Sequence, residues 1–238
     1  MTALLCVRGL EAFYGAAQIL FGLDLDLQDG AVVALMGRNG AGKSTTMKAV
    51  MGLVARKRGT VSFLGEDISR ERPYRIARRG LGFVPEDRRI FGDLTVSENL
   101  EVGRLPLRDM SPREPWTKER LYELFPNLAE ARNRPAARMS GGEQQMLTVA
   151  RTLMGNPRAI LLDEPSEGVA PIIVEAMAKT ILSLKAAGVS ILLSEQNLAF
   201  ASLVADQVYV LEKGEIRWQG TMAALASDDT TRRAYLEV

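Results

Sequence analysis

The strongest constraint on the fold is an eight-residue segment, GRNGAGKS at residues 37–44, that lies between two different sequence patterns. The residues before it, Val32 to Met36, are all apolar, which predicts a buried strand of a parallel sheet. Residues 43–53 after it have the pattern of a helix. A phosphate-binding loop needs this order of strand, glycine-rich loop and helix. The segment therefore predicts an α/β fold whose mostly parallel sheet carries a P-loop of the NTPase type.

The residues of this loop have distinct predicted roles. Gly37, Gly40 and Gly42 permit backbone conformations in which successive N–H groups converge on phosphate oxygens. The helix that follows directs its free N–H groups and the positive end of its dipole at the same anion. Lys43 is predicted to reach the β and γ phosphates of a nucleotide, and Ser44 to hold Mg²⁺. The predicted nucleotide-binding residues of this segment are Gly37, Arg38, Asn39, Gly40, Ala41, Gly42, Lys43, Ser44 and Thr45.

A pair of carboxylates follows a second apolar run. Residues 159–162 are apolar and predict another core strand, after which come Asp163 and Glu164. Ligands of open α/β sheets bind beyond the carboxyl ends of the strands, so Asp163 is expected beside the phosphate loop, where it would support Mg²⁺. The chain contains no histidine, so Glu164 is the candidate general base for activating a water. In isolation, the pair would be interpreted as a solvated strand end.

Composition limits the classes of function. The chain has 238 residues, 47% of them hydrophobic, which fits one domain spanning residues 1–238. Its net charge of +1 gives no global field for nucleic acid or an acidic membrane surface. The single cysteine, Cys6, excludes an intramolecular disulfide and suggests a reducing compartment. No apolar stretch approaches the roughly 18 to 20 residues needed to cross a bilayer, so a cytosolic chain is expected unless a partner carries it to a membrane.

The patterns along the chain predict three parts. Strands at residues 3–8 and 17–27 predict an N-terminal antiparallel β subdomain, because residues 23–27 alternate apolar and acidic side chains. From about residue 87 to residue 157, helical segments broken by prolines predict an inserted helical subdomain. The prolines are Pro106, Pro112, Pro115, Pro126 and Pro135. Residues 60–64 and 81–84 are further strand candidates. After residue 157 the chain alternates between strand and helix, with strands at 159–162, 189–193, 207–211 and 215–219 and a helix at 171–187, which implies a mostly parallel sheet.

A second glycine-rich loop precedes another helix. Ser140, Gly141, Gly142 and Glu143 come directly before residues 144–154, whose apolar positions recur at helical spacing. Ser140 is therefore a candidate N-cap, and the loop is a second possible anion site at a helix start. Alone, this segment is weak evidence, because an ordinary cap followed by flexible glycines has the same pattern.

Together these segments resemble the nucleotide-binding subunits of ABC transporters over essentially the whole chain. Residues 37–44 match the Walker A motif of that family, residues 140–145 its signature loop, and residues 160–164 its Walker B motif with the catalytic glutamate. The resemblance implies ATP hydrolysis with Mg²⁺ in a head-to-tail dimer. Ser140, Gly141 and Gly142 would then contact the γ phosphate held by the other subunit. Tyr14 matches the aromatic residue that stacks on adenine, and residues 166–171 match the D-loop at the dimer seam.

Two positions differ from the usual pattern of the family. The glutamine that senses Mg²⁺ and the membrane partner aligns with Glu86, whose carboxylate can still ligate Mg²⁺ directly or through water. The histidine that contacts the γ phosphate aligns with Gln196. Glutamine can donate a hydrogen bond but carries no charge, so its contribution would be about 0.5 to 1.5 kcal/mol rather than the charge-assisted range.

Residues 36–40, 84–89, 163–171 and 194–197 are similar to the subfamily that serves branched-chain amino-acid uptake, with its urea and amide relatives. This resemblance implies a second nucleotide-binding subunit, identical or different, beneath two transmembrane permease subunits, with a periplasmic solute-binding protein. The chain would then be peripheral on the cytoplasmic face of the inner membrane. A segment at residues 93–103 is a candidate surface for a membrane partner, although an ordinary amphipathic helix has the same pattern.

Two other classes of function have to be weighed against the sequence. A soluble ABC ATPase of DNA repair or translation is disfavoured, because such proteins carry two nucleotide domains or a long coiled-coil insertion. The arginines at residues 56–58 and 70–79 are expected on solvated surfaces, so no nucleic-acid partner is predicted. A nucleotide-binding regulator that does not hydrolyse ATP is the third hypothesis, motivated by Glu86 and Gln196.

Overall fold

The computed structural model describes residues 3–106 and 114–236, which contain ten strands and ten α-helices. The strands are β1 (Leu5–Tyr14), β2 (Ala17–Leu27), β3 (Val32–Met36), β4 (Arg56–Phe63), β5 (Glu66–Asp67), β6 (Leu81–Val84), β7 (Ala159–Asp163), β8 (Ser190–Glu195), β9 (Gln207–Glu212) and β10 (Glu215–Thr221). The helices are α1 (Lys43–Val50), α2 (Pro73–Arg79), α3 (Val96–Val102), α4 (Lys118–Leu124), α5 (Pro126–Glu130), α6 (Gly141–Leu153), α7 (Pro171–Ala186), α8 (Leu198–Val204), α9 (Met222–Ser227) and α10 (Asp229–Tyr235).

The larger sheet has the strand order β10-β9-β3-β8-β7-β6. Five of these strands, β9, β3, β8, β7 and β6, are parallel to one another. The sixth, β10, lies at the edge and pairs antiparallel with β9. Every residue of β3, β7 and β8 is buried, because one face of the sheet packs against α1 and the smaller sheet, and the other against α6, α7 and α8. The predicted α/β class with a mostly parallel sheet is confirmed.

The smaller sheet has the order β2-β1-β4-β5 and is antiparallel, which confirms the predicted N-terminal β unit. Two of its strands are longer than predicted: β1 continues to Tyr14, and β4 begins at Arg56. The charged start of β4 is held by pairing with β1 and by cation–π contacts, since the guanidinium carbons of Arg56 and Arg58 lie 4.5 and 5.8 Å from the ring centre of Phe13. Apolar periodicity alone does not detect such a strand.

Helices α3 to α6 lie between β6 and β7 in the chain and share a buried apolar core that includes Leu100, Leu121, Leu128 and Leu147. Pro126 begins α5 rather than interrupting a helix, as expected at the first helical position. Pro112 lies outside the described residues. The division of residues 87–157 into a separate subdomain stays a prediction. Across residues 3–106 and 114–236, no helix combines the length and the apolar character that a membrane span requires.

Candidate phosphate-binding site

The phosphate loop leaves the buried strand β3 and enters α1 through two glycines in left-handed backbone conformations. Gly40 has φ 79° and Gly42 has φ 113°, values that residues with a Cβ adopt only at a cost. Gly37 is required for a different reason, because a Cβ there would lie 2.3 Å from the carbonyl oxygen of Leu211. Helix α1 has no side-chain N-cap, so its first N–H groups are free of a protein cap. The loop therefore presents backbone donors at an open helix start.

A pocket of about 410 Å³ lies over this helix start. It brings together four separate parts of the chain: β2, the phosphate loop, the turn after β6 and the turn after β7. Its lining residues are Ile19, Asn39, Gly40, Gly42, Lys43, Ser44, Thr45, Glu86, Glu164 and Glu167. Gly37, Arg38 and Ala41 belong to the same loop but are not among the lining residues.

Lys43 lies at the centre of the site and is only 3% exposed. Its Nζ donates hydrogen bonds to the carbonyl oxygens of Gly37 at 2.8 Å and Arg38 at 3.2 Å, and it forms an ion pair with Glu164 Oε1 at 3.0 Å. A buried ammonium must be paired, and here the phosphate loop and Glu164 together satisfy it. The predicted base and the predicted phosphate-binding lysine are therefore in direct contact.

Ser44 and Asp163 meet beneath the loop, as the positions of β3 and β7 require. Ser44 Oγ donates a hydrogen bond to Asp163 Oδ1 at 2.9 Å, and Ser194 Oγ donates to the same oxygen at 2.6 Å. Asp163 is 1% exposed, and its second oxygen, Oδ2, has no hydrogen-bond partner among the described residues. Burial raises the pKa of Asp163 above its usual range.

This donor set fits Mg²⁺, which prefers hydroxyl and carboxylate oxygens, and the unpartnered Oδ2 of Asp163 is a buried acceptor without a ligand. Within residues 3–106 and 114–236, no cluster of three or more His, Cys, Asp or Glu side chains could hold a metal unaided. A cation here would complete its shell with water or phosphate oxygens, as Mg²⁺ commonly does.

Glu164 has an unusual backbone conformation, with φ 47°. Its N–H lies 3.1 Å from both the carbonyl oxygen and the Oγ of Ser194, at the end of the neighbouring strand β8. A left-handed glutamate persists only where its surroundings fix it, and such residues concentrate at functional sites. The strained turn holds the Glu164 side chain in the pocket next to Lys43.

A second carboxyl, Glu167, lies beside Glu164. The interaction with the neighbouring Glu164 carboxylate, together with burial, raises the pKa of Glu167 to about 7. Burial opposes ionisation of Glu164, but its interactions with Glu167 and Lys43 outweigh burial and lower the pKa of Glu164. Glu164 is therefore the ionised member of the pair.

Three of the other predicted positions are exposed, and only one of them lines the pocket. Glu86 is exposed and lines the pocket. Gln196 is exposed immediately after β8 and is not a lining residue. Tyr14 is half-exposed at the end of β1 and does not line the pocket either. The roles of Tyr14 and Gln196 remain predictions.

The second glycine-rich loop lies outside this pocket. Ser140 caps α6, since its Oγ accepts from Glu143 N at 3.4 Å and donates to Glu143 Oε2 at 2.7 Å. Gly141 lies against the Arg88 guanidinium, and Gly142 is packed against Ile173 of α7. Of the predicted ligand residues, the structure therefore does not bring Ser140, Gly141 or Gly142 to the phosphate loop of the same chain.

Sequence reasoning did not identify the parts played by Ser194, Glu195 and Glu167. Ser194 and Glu195 are the last two residues of β8, which lies between β3 and β7 in the larger sheet. The rule that functional residues follow parallel strands applies to this position as well, so it was a usable signal. The contact between Glu164 and Glu167 had no such signal, because it depends on the tight turn after β7.

Comparison with known proteins gives a consistent result. Residues 20–167 match the ABC transporter family. The chain is 39% identical over 229 residues to the high-affinity branched-chain amino acid transport ATP-binding protein BraG of Pseudomonas aeruginosa, covering 95% of this chain and 97% of BraG. It is 34% identical over 235 residues to the lipopolysaccharide export system ATP-binding protein LptB of Haemophilus influenzae, covering 98% of this chain and 97% of LptB.

Solved structures agree with these relatives. The ADP conformation of MJ1267, an ATP-binding cassette of an ABC transporter, superimposes with a TM-score of 0.82 at 27% identity and covers 98% of both chains. A nucleotide-free ATP-binding cassette from an ABC transporter gives a TM-score of 0.81 at 27% identity and covers 96% of both chains.

Proposed function

This chain belongs to the ABC transporter family and is the ATPase subunit of a transporter, and we propose that it energises the uptake of branched-chain amino acids. The observation that supports this solute class is the similarity to BraG, at 39% identity over almost the whole of both chains. The sequence resemblance to the branched-chain subfamily at residues 84–89 and 163–171 points the same way. Urea or amide uptake is the alternative within that subfamily.

Lipopolysaccharide export is a second candidate, because LptB is 34% identical over a similar length. Uptake assays separate these possibilities. Cells that lack this chain should lose uptake of labelled leucine, isoleucine and valine, and the wild-type chain should restore it. Normal amino-acid uptake combined with a loss of urea uptake, or with a defect in lipopolysaccharide export, would contradict the proposal.

The site supports a division of roles among its residues. Bound ATP supplies the phosphoanhydride bond that is broken. Lys43 and the free N–H groups at the start of α1 provide positive charge for phosphate oxygens. Glu164 is ionised beside the pocket and is positioned to take a proton from a water. Ser44 and Asp163 would hold Mg²⁺, with Glu86 at the edge of the pocket as a further ligand.

Replacement of the base tests this assignment. Glu164→Gln keeps the shape of the side chain but cannot accept a proton, so we expect ATP binding to persist and turnover to fall by on the order of 10² to 10⁴. ATP binding is measured with a fluorescent nucleotide and turnover by phosphate release. Glu175→Gln, which changes an exposed glutamate of α7 outside the pocket, is the control. Near-normal turnover of Glu164→Gln would exclude Glu164 as the base.

We also propose that the permease subunit docks into a groove of about 420 Å³ beside the helical segments. Phe91 and Val102 are exposed there, and the Arg151 guanidinium lies 5.1 Å from the Phe91 ring centre. Arg89 also lines the groove, whereas Glu86, three residues earlier, lines the phosphate pocket. One turn of the chain therefore touches both the nucleotide site and the proposed docking groove.

Removal of the exposed aromatic ring tests the docking groove. Phe91→Ala should keep the ATPase activity of the isolated chain but reduce its co-purification with the membrane subunits. Tyr74→Ala removes an equally exposed aromatic ring that is not a groove residue and should leave co-purification unchanged. Unchanged co-purification of Phe91→Ala would place the docking surface elsewhere.

The second nucleotide-binding subunit is part of the same proposal, since the signature loop lies outside the pocket of its own chain. A dimer would let Ser140, Gly141 and Gly142 reach nucleotide bound by the other subunit. Either a second copy or a different subunit could fill this place.

A further inference from the structure

Glu195, the last residue of β8, joins two loops through one buried carboxylate. The residue is 1% exposed. Its Oε1 accepts a hydrogen bond from the N–H of Ser166 at 3.1 Å, and its Oε2 accepts one from the N–H of Asn197 at 3.2 Å. Ser166 belongs to the turn that begins at Glu164, and Asn197 directly follows Gln196 and caps α8. Each oxygen therefore holds a different loop.

No salt bridge offsets the charge of Glu195 among the described residues. Burial raises the pKa of Glu195, the hydrogen bonds from Ser166 and Asn197 lower it, and the negative charge of Glu164 raises it further. Burying a carboxylate without a counter-ion costs free energy, and N–H donors recover only part of it. Stability alone therefore does not account for a glutamate at this position.

The turn that Glu195 holds is the one that positions Glu164. Ser194 fixes the start of this turn by accepting hydrogen bonds from Glu164 N, and Glu195 fixes it two residues later at Ser166 N. The Glu167 N–H closes the turn on the carbonyl oxygen of Glu164 at 3.1 Å. Because Glu164 adopts φ 47°, its conformation depends on such external contacts.

We propose that Glu195 is a positioning residue for ATP hydrolysis: it holds the turn at residues 164–167 so that the Glu164 carboxylate stays at the phosphate loop, and it ties this turn to the loop that carries Gln196. Glu195 acts through Glu164 and does not line the phosphate pocket. The inference rests on the proposed function, in which Glu164 is the base.

Glu195→Gln tests this role with almost no change of shape. Glutamine has one acceptor oxygen for two N–H donors, and its amide group would face the other N–H, so one of the two loops is released. We expect kcat to fall about tenfold while the KM for ATP stays within about twofold, because ground-state binding is unaffected. Glu195→Asp keeps the charge on a shorter side chain and should give a smaller loss; it also serves as the second variant if Glu195→Gln does not fold.

Asp228→Asn is the matched control. Asp228 also receives two hydrogen bonds, from Thr231 N at 2.9 Å and Thr231 Oγ1 at 2.6 Å, but it caps α10 away from the phosphate pocket. We expect this change to lower the temperature of thermal unfolding without changing kcat or KM. A merely structural Glu195 would behave in the same way, and such a result would overturn the proposal.

A double-mutant cycle separates this inference from the proposed function. In single-turnover hydrolysis of labelled ATP, Glu195→Gln should have almost no further effect when Glu164 is already Gln, because the two residues act on the same step. A full tenfold loss on top of Glu164→Gln would overturn the positioning role alone. Normal turnover of Glu164→Gln by itself would overturn the proposed function, whatever Glu195→Gln does.

Discussion

The two glycine-rich loops of this chain both open a helix, but the starts of the two helices differ. Helix α1 begins at Gly42 without a side-chain cap. Helix α6 begins at Ser140, which forms a complete capping box with Glu143. The first helix start therefore leaves its N–H groups to a ligand, whereas the second already satisfies part of its own.

The surroundings of the two loops differ as well. Side chains from other strands converge on the phosphate loop, including Asp163 and Glu164, whereas Ser140 is exposed. Two loops that look alike in sequence are therefore distinguished by what else reaches them. The phosphate loop is surrounded by carboxylates and hydroxyls of its own chain. The second loop does not line that pocket, which is the basis of the proposed dimer.

The largest effect is expected on the phosphate-loop side. Lys43→Ala removes the ammonium that bonds Gly37, Arg38 and Glu164, and leaves the Glu164 charge buried without its partner. We expect ATP binding to weaken by at least about tenfold and turnover to fall by about 100-fold or more. Fluorescent-nucleotide titration and phosphate release measure the two effects. Lys179→Ala, at an exposed position of α7, is the control and should bind and hydrolyse ATP as wild type does. Tight ATP binding by Lys43→Ala would contradict the assignment of nucleotide binding to the phosphate loop.

A smaller effect is expected at the second loop. Ser140→Ala removes the α6 cap and should cost about 1 kcal/mol of stability. Turnover should fall about tenfold while each chain still binds ATP, because the phosphate loop is intact. Thr95→Ala is a closely matched control, since Thr95 and Glu98 form the same capping box at the start of α3. Equal turnover of the two capping variants would mean that Ser140 only caps its helix.

Mixing these two impaired variants sharpens the comparison. A dimer of Lys43→Ala with Ser140→Ala contains one intact pair of loops, formed by the Ser140→Ala phosphate loop and the Lys43→Ala signature loop. With random pairing, the mixture should recover about a quarter of wild-type turnover. Turnover of the mixture no higher than the average of the two separate variants would contradict the proposal that the loops act across a dimer of identical chains.

Much of the fold could be predicted because the core strands are apolar throughout. Strand β6 has the predicted bounds of residues 81–84, and β7 is longer than predicted by one residue. The start of β4 was missed, since Arg56 and Arg58 are held by the Phe13 ring rather than by apolar burial. Local patterns report burial well and cross-strand cation–π contacts poorly.

The candidate site could be predicted to a similar extent. The approach of Asp163 to Ser44 follows from parallel strands that end at one edge of the sheet. The ion pair of Lys43 with Glu164 and the left-handed backbone of Glu164 could not be predicted, because both depend on how the turn after β7 folds. Glu195 gave only the positional signal of a residue that ends a parallel strand, since β8 is buried on both faces and its residues show no alternation.

The smallest expected effect concerns the excess negative charge at the phosphate loop, where Glu86, Glu164 and Glu167 line the pocket with Lys43. A carboxyl whose pKa is raised by folding stabilises the folded state at low pH, and this contribution is lost as the pH rises through the folded pKa. For Glu167 that pKa is about 7, raised mainly by its interaction with the Glu164 carboxylate. The contribution of Glu167 to the free energy of unfolding should therefore decline as the pH rises from about 4.5 to about 7, and be mostly lost above that.

Glu167→Gln removes this titration while keeping a hydrogen-bond donor for Glu164. Thermal unfolding without nucleotide should show the variant to be more stable than wild type at about pH 8, with the difference shrinking towards about pH 6. Glu175→Gln, on α7 outside the pocket, should leave the pH dependence of wild type unchanged. If the difference in unfolding temperature between Glu167→Gln and wild type stays constant across this range, Glu164 does not raise the pKa of Glu167. The phosphate loop would then differ from the signature loop in its uncapped helix start and in the Lys43–Glu164 ion pair, but not in having a carboxyl with a raised pKa beside it.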